Sequence, residues 1–158
     1  MEFSCSGQVE VEKLAAALVD YVGAGDLIAL TGDLGAGKTT FARAFIRACL
    51  ADTMAEVPSP TFTLVQTYDA DDYTIYHTDL YRLREPDEVY DLGLDDDKSD
   101  ALLLVEWPDR MPDDWWAGAL EVSLKRPGGA PAGEDEARIV LLKGDDAWQA
   151  RVSGLVLE

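Results

Sequence analysis

The stretch Gly32-Asp33-Leu34-Gly35-Ala36-Gly37-Lys38-Thr39 matches the pattern G-x-x-x-x-G-K-[S/T] at every defined position. Glycines let the backbone curl so that successive N–H groups face one anion, and a following helix N-terminus adds partial positive charge at the same place. In such a loop Lys38 reaches the β- and γ-phosphates of a nucleotide, and the Thr39 hydroxyl ligates Mg²⁺. The stretch therefore predicts a phosphate-binding loop.

The residues on both sides of this loop have the context that the pattern requires. Residues 27–30 form a continuous apolar run, which is typical of a buried parallel strand. Residues 38–50 place Phe41 and Phe45 on one helical face. An earlier helix is predicted over residues 8–22, with Ser6 as its N-cap. The order strand, glycine loop, helix is therefore present.

The remainder of the chain predicts further strands and short helices. The predicted strands are residues 61–68 and 73–79, joined by an acidic turn at 69–72, and residues 101–105, 120–124 and 139–142. Short helices are predicted at 86–92 and around Trp148, and 127–136 is a loop rich in Gly, Pro and Ala. Alternating strands and helices predict a single α/β domain over residues 1–158, with a mixed, mostly parallel sheet and an antiparallel extension.

Composition and charge narrow the classes of protein. The chain has 158 residues, of which 31 are acidic and 13 basic, and its net charge is −18. Such a surface repels phosphate backbones and anionic membranes, so we expect neither autonomous nucleic-acid binding nor a membrane partner. The two cysteines form no C-x-x-C pair, and the first residues do not resemble a signal peptide. We therefore expect a cytoplasmic protein.

Two acidic residues end predicted strands, where open α/β sheets form their ligand crevice. Asp79 closes the strand at 73–79, and Glu106 follows the apolar strand at 101–105. Both are candidates to complete a Mg²⁺ site, although Asp79 could instead be a helix cap or turn former, and Glu106 a solvated strand end. His77, the single histidine, lies on the same side of its strand as Asp79. It is interpreted as a packed or hydrogen-bonded ring, with catalysis as the alternative.

Four segments in order resemble one known family, the bacterial TsaE (YjeE) ATPases. The segments are Gly32-Asp33-Leu34-Gly35-Ala36-Gly37-Lys38-Thr39-Thr40-Phe41, Pro58-Ser59-Pro60-Thr61-Phe62-Thr63-Leu64-Val65, His77-Thr78-Asp79-Leu80-Tyr81-Arg82-Leu83 and Val105-Glu106-Trp107-Pro108-Asp109-Arg110. They are similar to the family's P-loop, its switch-like S-P-T-[FY]-x-L segment, its H-x-D-x-Y-R-L motif and its E-W-x-[ED]-[RK] motif. The resemblance implies a P-loop NTPase-like three-layer fold.

The resemblance also implies a role in forming N6-threonylcarbamoyladenosine at position 37 of tRNAs that read ANN codons. A member binds ATP or ADP with Mg²⁺, acts on a TsaD–TsaB pair, meets tRNA only through that complex, and hydrolyses ATP to reset the pair. By motif, Lys38, Asp79 and Glu106 are the catalytic residues, and Thr39, Glu106 and Asp79 are the metal residues. The expected nucleotide contacts are Gln8, Gly32, Asp33, Leu34, Gly35, Ala36, Gly37, Lys38, Thr39, Thr40 and Arg138. Thr61 is a candidate γ-phosphate sensor, and Trp107 packs near the nucleotide, near a partner, or in the core.

Three other functions fit a phosphate loop. A small-molecule kinase would need an Arg-rich lid, and residues 127–136 contain no Arg, although Arg126 and Arg138 flank them. A GTPase commonly uses an N-K-x-D loop, but the chain has no asparagine, and residues 97–100 only echo that motif. A non-hydrolysing adaptor is disfavoured by the intact acidic and basic residues. No arginine finger is evident, so we expect weak activity alone and stimulation by partners.

Overall fold

A computed structural model of the chain describes residues 1–94, 100–129 and 137–157. Its strands are β1 (Glu2–Cys5), β2 (Leu27–Thr31), β3 (Val65–Asp69), β4 (Thr74–Asp79), β5 (Ala101–Glu106), β6 (Leu120–Lys125) and β7 (Arg138–Lys143). Its α-helices are α1 (Gln8–Leu18), α2 (Lys38–Cys49), α3 (Asp113–Trp116) and α4 (Asp146–Arg151). Short 3₁₀ helices lie at Val19–Tyr21, Pro86–Leu92, Pro108–Arg110 and Pro127–Gly129.

The strands described form one sheet in the order β1-β7-β6-β2-β5-β4-β3. The four central strands, β6, β2, β5 and β4, pair in parallel. At one edge β3 pairs antiparallel with β4, and at the other β7 pairs antiparallel with β6, and β1 with β7. The structure confirms the predicted α/β fold, with a mostly parallel sheet that antiparallel strands extend.

Strand β5 shows how the sheet is covered on both faces. Leu102 and Leu104 point into a core that includes apolar residues of α1, α2 and α4, and Leu103 and Val105 point into a second core on the opposite face. All six residues of β5 are buried, as expected for a parallel strand between two layers. The second core is covered by the 3₁₀ helix at Pro86–Leu92 and by α3, so the three-layer arrangement has one thick and one thin helical layer.

The predicted strand at residues 61–68 begins too early. Leu64 has a φ of 68°, in the left-handed region, and its N–H donates to the carbonyl of Pro60 at 2.7 Å. This tight turn interrupts the apolar and β-branched run, so β3 starts only at Val65. The loop that leads to the sheet is therefore longer than the sequence indicates.

The N-terminal region differs from the prediction in two ways. Residues 2–5 form an edge strand that pairs with β7, although their short, mixed pattern gave no strand signal. The N-cap of α1 is Gly7, and no side chain caps it, so the prediction of Ser6 as the cap was wrong. Instead, the Ser6 N–H donates to the Glu10 carboxylate at 2.5 Å, and this bond lowers the pKa of Glu10.

The last differences concern helix ends and loops. α1 ends at Leu18, and a 3₁₀ turn replaces the rest of the predicted helix, while the four-residue α3 was not predicted. Residues 130–136 of the predicted Gly- and Pro-rich loop lie outside the described residues, as do residues 95–99, which include most of the segment that echoes a guanine-binding loop.

Candidate functional site

The loop between β2 and α2 has a backbone that requires glycine. Gly37 is the N-cap of α2 and has a φ of 106°, which favours glycine. Gly32 has a φ of 147°, and a Cβ there would lie 2.6 Å from the carbonyl oxygen of Leu124 in β6. The loop thus packs closely against the neighbouring strand. Because the first N–H groups of a helix have no partner inside it, the start of α2 presents donors where the loop would hold an anion.

Lys38, the first residue of α2, folds back over the loop. Its Nζ donates to the carbonyl oxygens of Gly32 and Asp33, the latter at 3.0 Å, and lies 4.2 Å from the centre of the Trp107 ring. Burial lowers the pKa of Lys38, and the nearby carboxylates, Glu106 first, oppose that shift. The ammonium group is therefore held at the loop by weak acceptors that phosphate oxygens can replace.

Thr39 and Glu106 connect the helix to the end of β5. The Thr39 hydroxyl donates to Oε1 of Glu106 at 3.1 Å, and the Glu106 side chain is buried. Two ligands on adjacent corners of a Mg²⁺ octahedron, each at about 2.0–2.1 Å, lie about 2.9 Å apart. The spacing of these two oxygens therefore suits a shared Mg²⁺ ion.

Asp79 stands beside Glu106, because the two residues are register partners in the parallel pair β4 and β5. Its Oδ1 accepts from the Tyr81 N–H at 2.9 Å, so this carboxylate also forms the turn that the sequence left as an alternative. Burial raises the pKa of Asp79, and Glu106 adds to the effect, while the Tyr81 N–H opposes it.

The described residues contain no group of three His, Cys, Asp or Glu side chains that could hold a metal ion alone. Mg²⁺ often takes one or two protein oxygens and completes its shell with substrate phosphates and water. The donor set of one hydroxyl and two carboxylates fits that mode of binding, and Thr39, Glu106 and Asp79 are the residues that would supply it.

One cavity of about 310 Å³ brings the separate sequence motifs together. Its lining residues are Leu34, Gly35, Gly37, Lys38, Thr39, Thr40, Thr61, Asp79, Glu106 and Trp107. Four segments that are far apart in the chain thus meet at the carboxyl ends of the central strands. Its lining suits a phosphate chain with a cation, because it combines the glycine loop and Lys38 with two carboxylates.

Thr61, the candidate γ-phosphate sensor, lies in the loop before the Leu64 turn. Its hydroxyl shares a hydrogen bond of 2.6 Å with that of Ser59. The next residue, Phe62, is 80% exposed, and the Arg82 guanidinium lies 4.6 Å from the centre of its ring. This loop therefore contributes a hydroxyl to the cavity and an exposed aromatic ring beside it.

The sequence allows Trp107 a place near the nucleotide, near a partner, or in the core, and the structure places it in the cavity wall. It has a φ of 57°, which is strained for a bulky side chain. Its ring packs against Tyr81 with 5.0 Å between ring centres, as well as beneath Lys38. Backbone strain of this kind concentrates at functional sites, and the neighbouring Glu106 side chain points into the same cavity.

Two arginines hold the loop from the side of β6 and β7. Arg138 is buried; its Nε donates to the Ala36 carbonyl at 3.0 Å and its Nη2 to the Gly35 carbonyl at 3.4 Å. Nη2 of Arg126 also donates to the Gly35 carbonyl, at 2.8 Å. Arg138 thus supports the loop backbone, and its contact with nucleotide stays a prediction. The sequence names Arg126 only as a residue flanking a possible kinase lid and predicts no contact with the loop, although its place just after the predicted strand at 120–124 was a usable signal.

The other predicted contacts lie around the phosphate cavity. Gly32, Asp33 and Ala36 line a second cavity, of about 610 Å³, which residues 123–126 close on the far side of the loop. Gln8 lines neither of these cavities; its side chain donates to Glu12 at 2.7 Å, and it faces a groove that reaches Thr40. The nucleotide contact expected of Gln8 therefore stays a prediction.

No helix within the described residues has the length and hydropathy of a membrane span. The glycine loop between a central parallel strand and a helix, in a mixed sheet of this order, places the chain in the P-loop class of α/β proteins. The family model for "Threonylcarbamoyl adenosine biosynthesis protein TsaE" matches residues 5–131, and the chain belongs to the TsaE family.

Individual relatives agree with the family match. The chain is 40% identical over 120 residues to a Rickettsia conorii protein named tRNA threonylcarbamoyladenosine biosynthesis protein TsaE, covering 76% of this chain and 68% of the relative. A Bacillus subtilis protein of the same name is 37% identical over 131 residues, covering 82% of this chain and 77% of the relative. The crystal structure of Bacillus subtilis YdiB is similar, with a TM-score of 0.72, 27% identity, and coverage of 98% of this chain and 93% of that one.

Proposed function

We propose that this chain is an ATP-hydrolysing subunit in the formation of N6-threonylcarbamoyladenosine at position 37 of tRNA, where it resets a TsaD–TsaB pair. The observation that carries the proposal is the single cavity that joins Lys38, Thr39, Asp79 and Glu106. Membership of the TsaE family, whose members carry the name of that biosynthesis, supplies the biological setting.

In this proposal the loop and α2 bind the phosphates of ATP. The Lys38 ammonium exchanges its carbonyl partners, Gly32 and Asp33, for β- and γ-phosphate oxygens, which are stronger acceptors. The Thr39 hydroxyl, Glu106 and Asp79 would hold Mg²⁺, which would supply neutralisation of charge on the phosphates. Arg138 and Arg126 keep the loop backbone in place through its carbonyls.

Hydrolysis requires water to attack the γ-phosphorus while the bond to the β–γ bridging oxygen breaks, and the products are ADP and phosphate. The protein's share is positioning and neutralisation of charge. Asp79 has one carboxylate oxygen occupied by the Tyr81 N–H, and the residue lines the cavity, so its other oxygen is available to orient water. Its raised pKa makes the Asp79 carboxylate a better proton acceptor than an exposed one.

Arginine is absent from the described residues that line the phosphate cavity. The two arginines at the loop, Arg126 and Arg138, are bonded to its carbonyls. Because an arginine supplied in trans often stabilises the charge that develops in phosphoryl transfer, we expect slow hydrolysis by the isolated chain and acceleration by the TsaD–TsaB pair.

Calorimetry and a phosphate-release assay test this function. ATP, ADP and GTP are titrated with and without Mg²⁺ into the wild type and Lys38→Ala, and release is measured with and without a TsaD–TsaB pair. We expect Mg²⁺-enhanced binding of adenine nucleotides, loss of that binding in Lys38→Ala, and stimulation by the pair. Equal binding by the variant would contradict the phosphate assignment, and fast turnover that ignores the pair would contradict the proposed role.

A small-molecule kinase is the second candidate, because the 610 Å³ cavity on the far side of the loop has room for a second substrate, beside Lys125 and Arg126. A kinase would consume ATP in step with a phosphorylated acceptor, whereas the proposed ATPase releases free phosphate. Product analysis by mass spectrometry separates the two. A preference for GTP would favour a GTPase, and binding without hydrolysis in the presence of the pair would favour an adaptor.

A further inference from the structure

The single histidine of the chain makes a buried contact with Glu106. Nε2 of His77 lies 2.6 Å from Oε2 of Glu106, and the two side chains are 1% and 3% exposed. The other oxygen of this carboxylate, Oε1, accepts from the Thr39 hydroxyl. Both oxygens of Glu106 are therefore engaged, one toward α2 and one toward β4.

The chemistry of the pair assigns the proton. An ionised carboxylate only accepts hydrogen bonds, so Nε2 of His77 carries the hydrogen in this contact. Nδ1 is buried and has no hydrogen-bond partner among the described residues. A hydrogen on Nε2 leaves Nδ1 of the neutral ring as an acceptor, so this tautomer buries no ring N–H without a partner.

The sheet explains why the contact is rigid. His77 lies on β4, two residues before Asp79, and Glu106 ends β5, which pairs with β4 in parallel register. The imidazole is thus anchored on a strand of the sheet rather than on a loop. Its bond to Oε2 fixes the rotation of the carboxylate, which leaves Oε1 directed at Thr39.

We propose that His77 is a positioning residue for the Mg²⁺ site: through Nε2–H it orients Glu106 so that Oε1 and the Thr39 hydroxyl meet one cation. The inference rests on the proposed function, because it assumes that a Mg²⁺ nucleotide binds at this cavity. Outer residues that orient a metal ligand typically change metal affinity by about 10–100-fold when they are removed. His77 does not touch the nucleotide in this scheme, so binding of metal-free ADP does not depend on it.

Two variants that differ by one methylene group test the assignment. The amide nitrogen of a glutamine can take the place of Nε2, whereas that of an asparagine takes the place of Nδ1, which has no partner to lose. The probe is ADP, titrated by calorimetry in EDTA and over a range of free Mg²⁺ concentrations. The measured quantities are the Kd in EDTA and the Mg²⁺ concentration that half-saturates the enhancement of binding.

For His77→Asn we expect an unchanged Kd in EDTA and a half-saturating Mg²⁺ concentration about 10–100-fold higher. His77→Gln is expected to stay within about threefold of the wild type, since it keeps the donor. Wild-type Mg²⁺ dependence in both variants would overturn the inference and leave the proposed function standing. An equal loss of ADP binding in EDTA in both would overturn it too, since the residue would then support the whole loop.

A measurement on the wild type needs no variant. The ring nitrogens of the single histidine give one unambiguous set of signals in a long-range ¹H–¹⁵N spectrum, and we expect the hydrogen on Nε2. A hydrogen on Nδ1 alone would overturn the inference, whether or not the variants fold. Failure of the wild type to bind ADP under any condition would instead overturn the proposed function on which the inference rests.

Discussion

Asp79 and Glu106 are register partners at the carboxyl ends of β4 and β5, and both residues line the same cavity. Two carboxylates so placed repel each other, and burial adds to the cost of charging them. Both causes raise the pKa of Asp79, with burial the larger. The repulsion between the two carboxylates can be offset at this place by a bound cation and by the Lys38 ammonium.

The first prediction concerns Asp79→Asn and stability. The folded-state pKa of Asp79 lies above its ordinary value of 3.8, so the folded protein binds the proton of this carboxyl group more tightly than the unfolded chain does. The stability that the protonated Asp79 contributes at low pH is therefore lost as pH rises through the folded-state pKa. We expect Asp79→Asn to unfold at a higher temperature than the wild type at neutral pH. This difference in unfolding temperature should vanish as pH is lowered to the ordinary pKa of an aspartate.

Thermal unfolding followed by circular dichroism across that pH range measures the effect. Asp20→Asn, an exchange of the same kind on the 3₁₀ turn after α1, controls for the loss of one negative charge. A variant that is less stable than the wild type at neutral pH would mean that the bond to the Tyr81 N–H outweighs the cost of burial.

The second prediction concerns the hydroxyl of Thr39. Thr39→Val keeps the shape of the side chain but removes the oxygen that bonds to Glu106. We expect ADP binding in EDTA to be almost unchanged and the enhancement by Mg²⁺ to fall by about tenfold or more. Thr39→Ser keeps the hydroxyl and is the matched control. Calorimetry in EDTA and in Mg²⁺ measures both, and an intact enhancement in Thr39→Val would remove Thr39 from the metal site.

The third prediction separates binding from stability at Lys38. Its ammonium is buried and its pKa lowered, so Lys38→Met removes a desolvation cost and should not lower the unfolding temperature. The same change removes a charged donor to phosphate, worth about 1.5–3 kcal/mol, and should weaken ADP binding about 10–100-fold. Lys143→Met, at the exposed end of β7, makes the same change in net charge away from the loop. An unfolding temperature well below that of this control would show that the bonds from Lys38 to the loop carbonyls support the fold.

The fourth prediction tests whether Arg138 supports the loop or contacts the nucleoside. Arg138→Met removes buried donors to the Gly35 and Ala36 carbonyls, and we expect the free energy of unfolding to fall by about 1–3 kcal/mol. Arg138→Lys should lie between this variant and the wild type. Denaturant unfolding measures the stability.

Ligand binding completes that test. A loop that has lost its support binds pyrophosphate and ADP less tightly by the same factor. A residue that contacts the nucleoside affects ADP alone. We expect the first result, and weaker ADP binding with unchanged pyrophosphate binding would restore Arg138 to the nucleotide contacts.

Local signals in the sequence predicted a large part of this protein. The run at 27–30, the glycines and the periodicity after Lys38 specify strand, loop and helix, because each depends on neighbours only a few residues away. The acidic ends of two strands were found for the same reason, since a polar residue that closes an apolar run is visible in the chain itself. The structure then places Asp79 and Glu106 at one cavity.

The tertiary structure decided what depends on the order and register of the strands. β1 is too short to give a pattern in the sequence. It forms because it pairs with β7, where Phe3 lies opposite Val140. The bond from His77 to Glu106 requires β4 and β5 to be neighbours in one register. The two arginines reach the loop because β6 lies next to β2, and β7 next to β6, on the other side of β2. Pairing between strands that are far apart in the sequence leaves no local periodicity in it. The sequence therefore determined the glycine loop and its candidate ligands, while only the sheet determined which side chains hold that loop and those ligands in place.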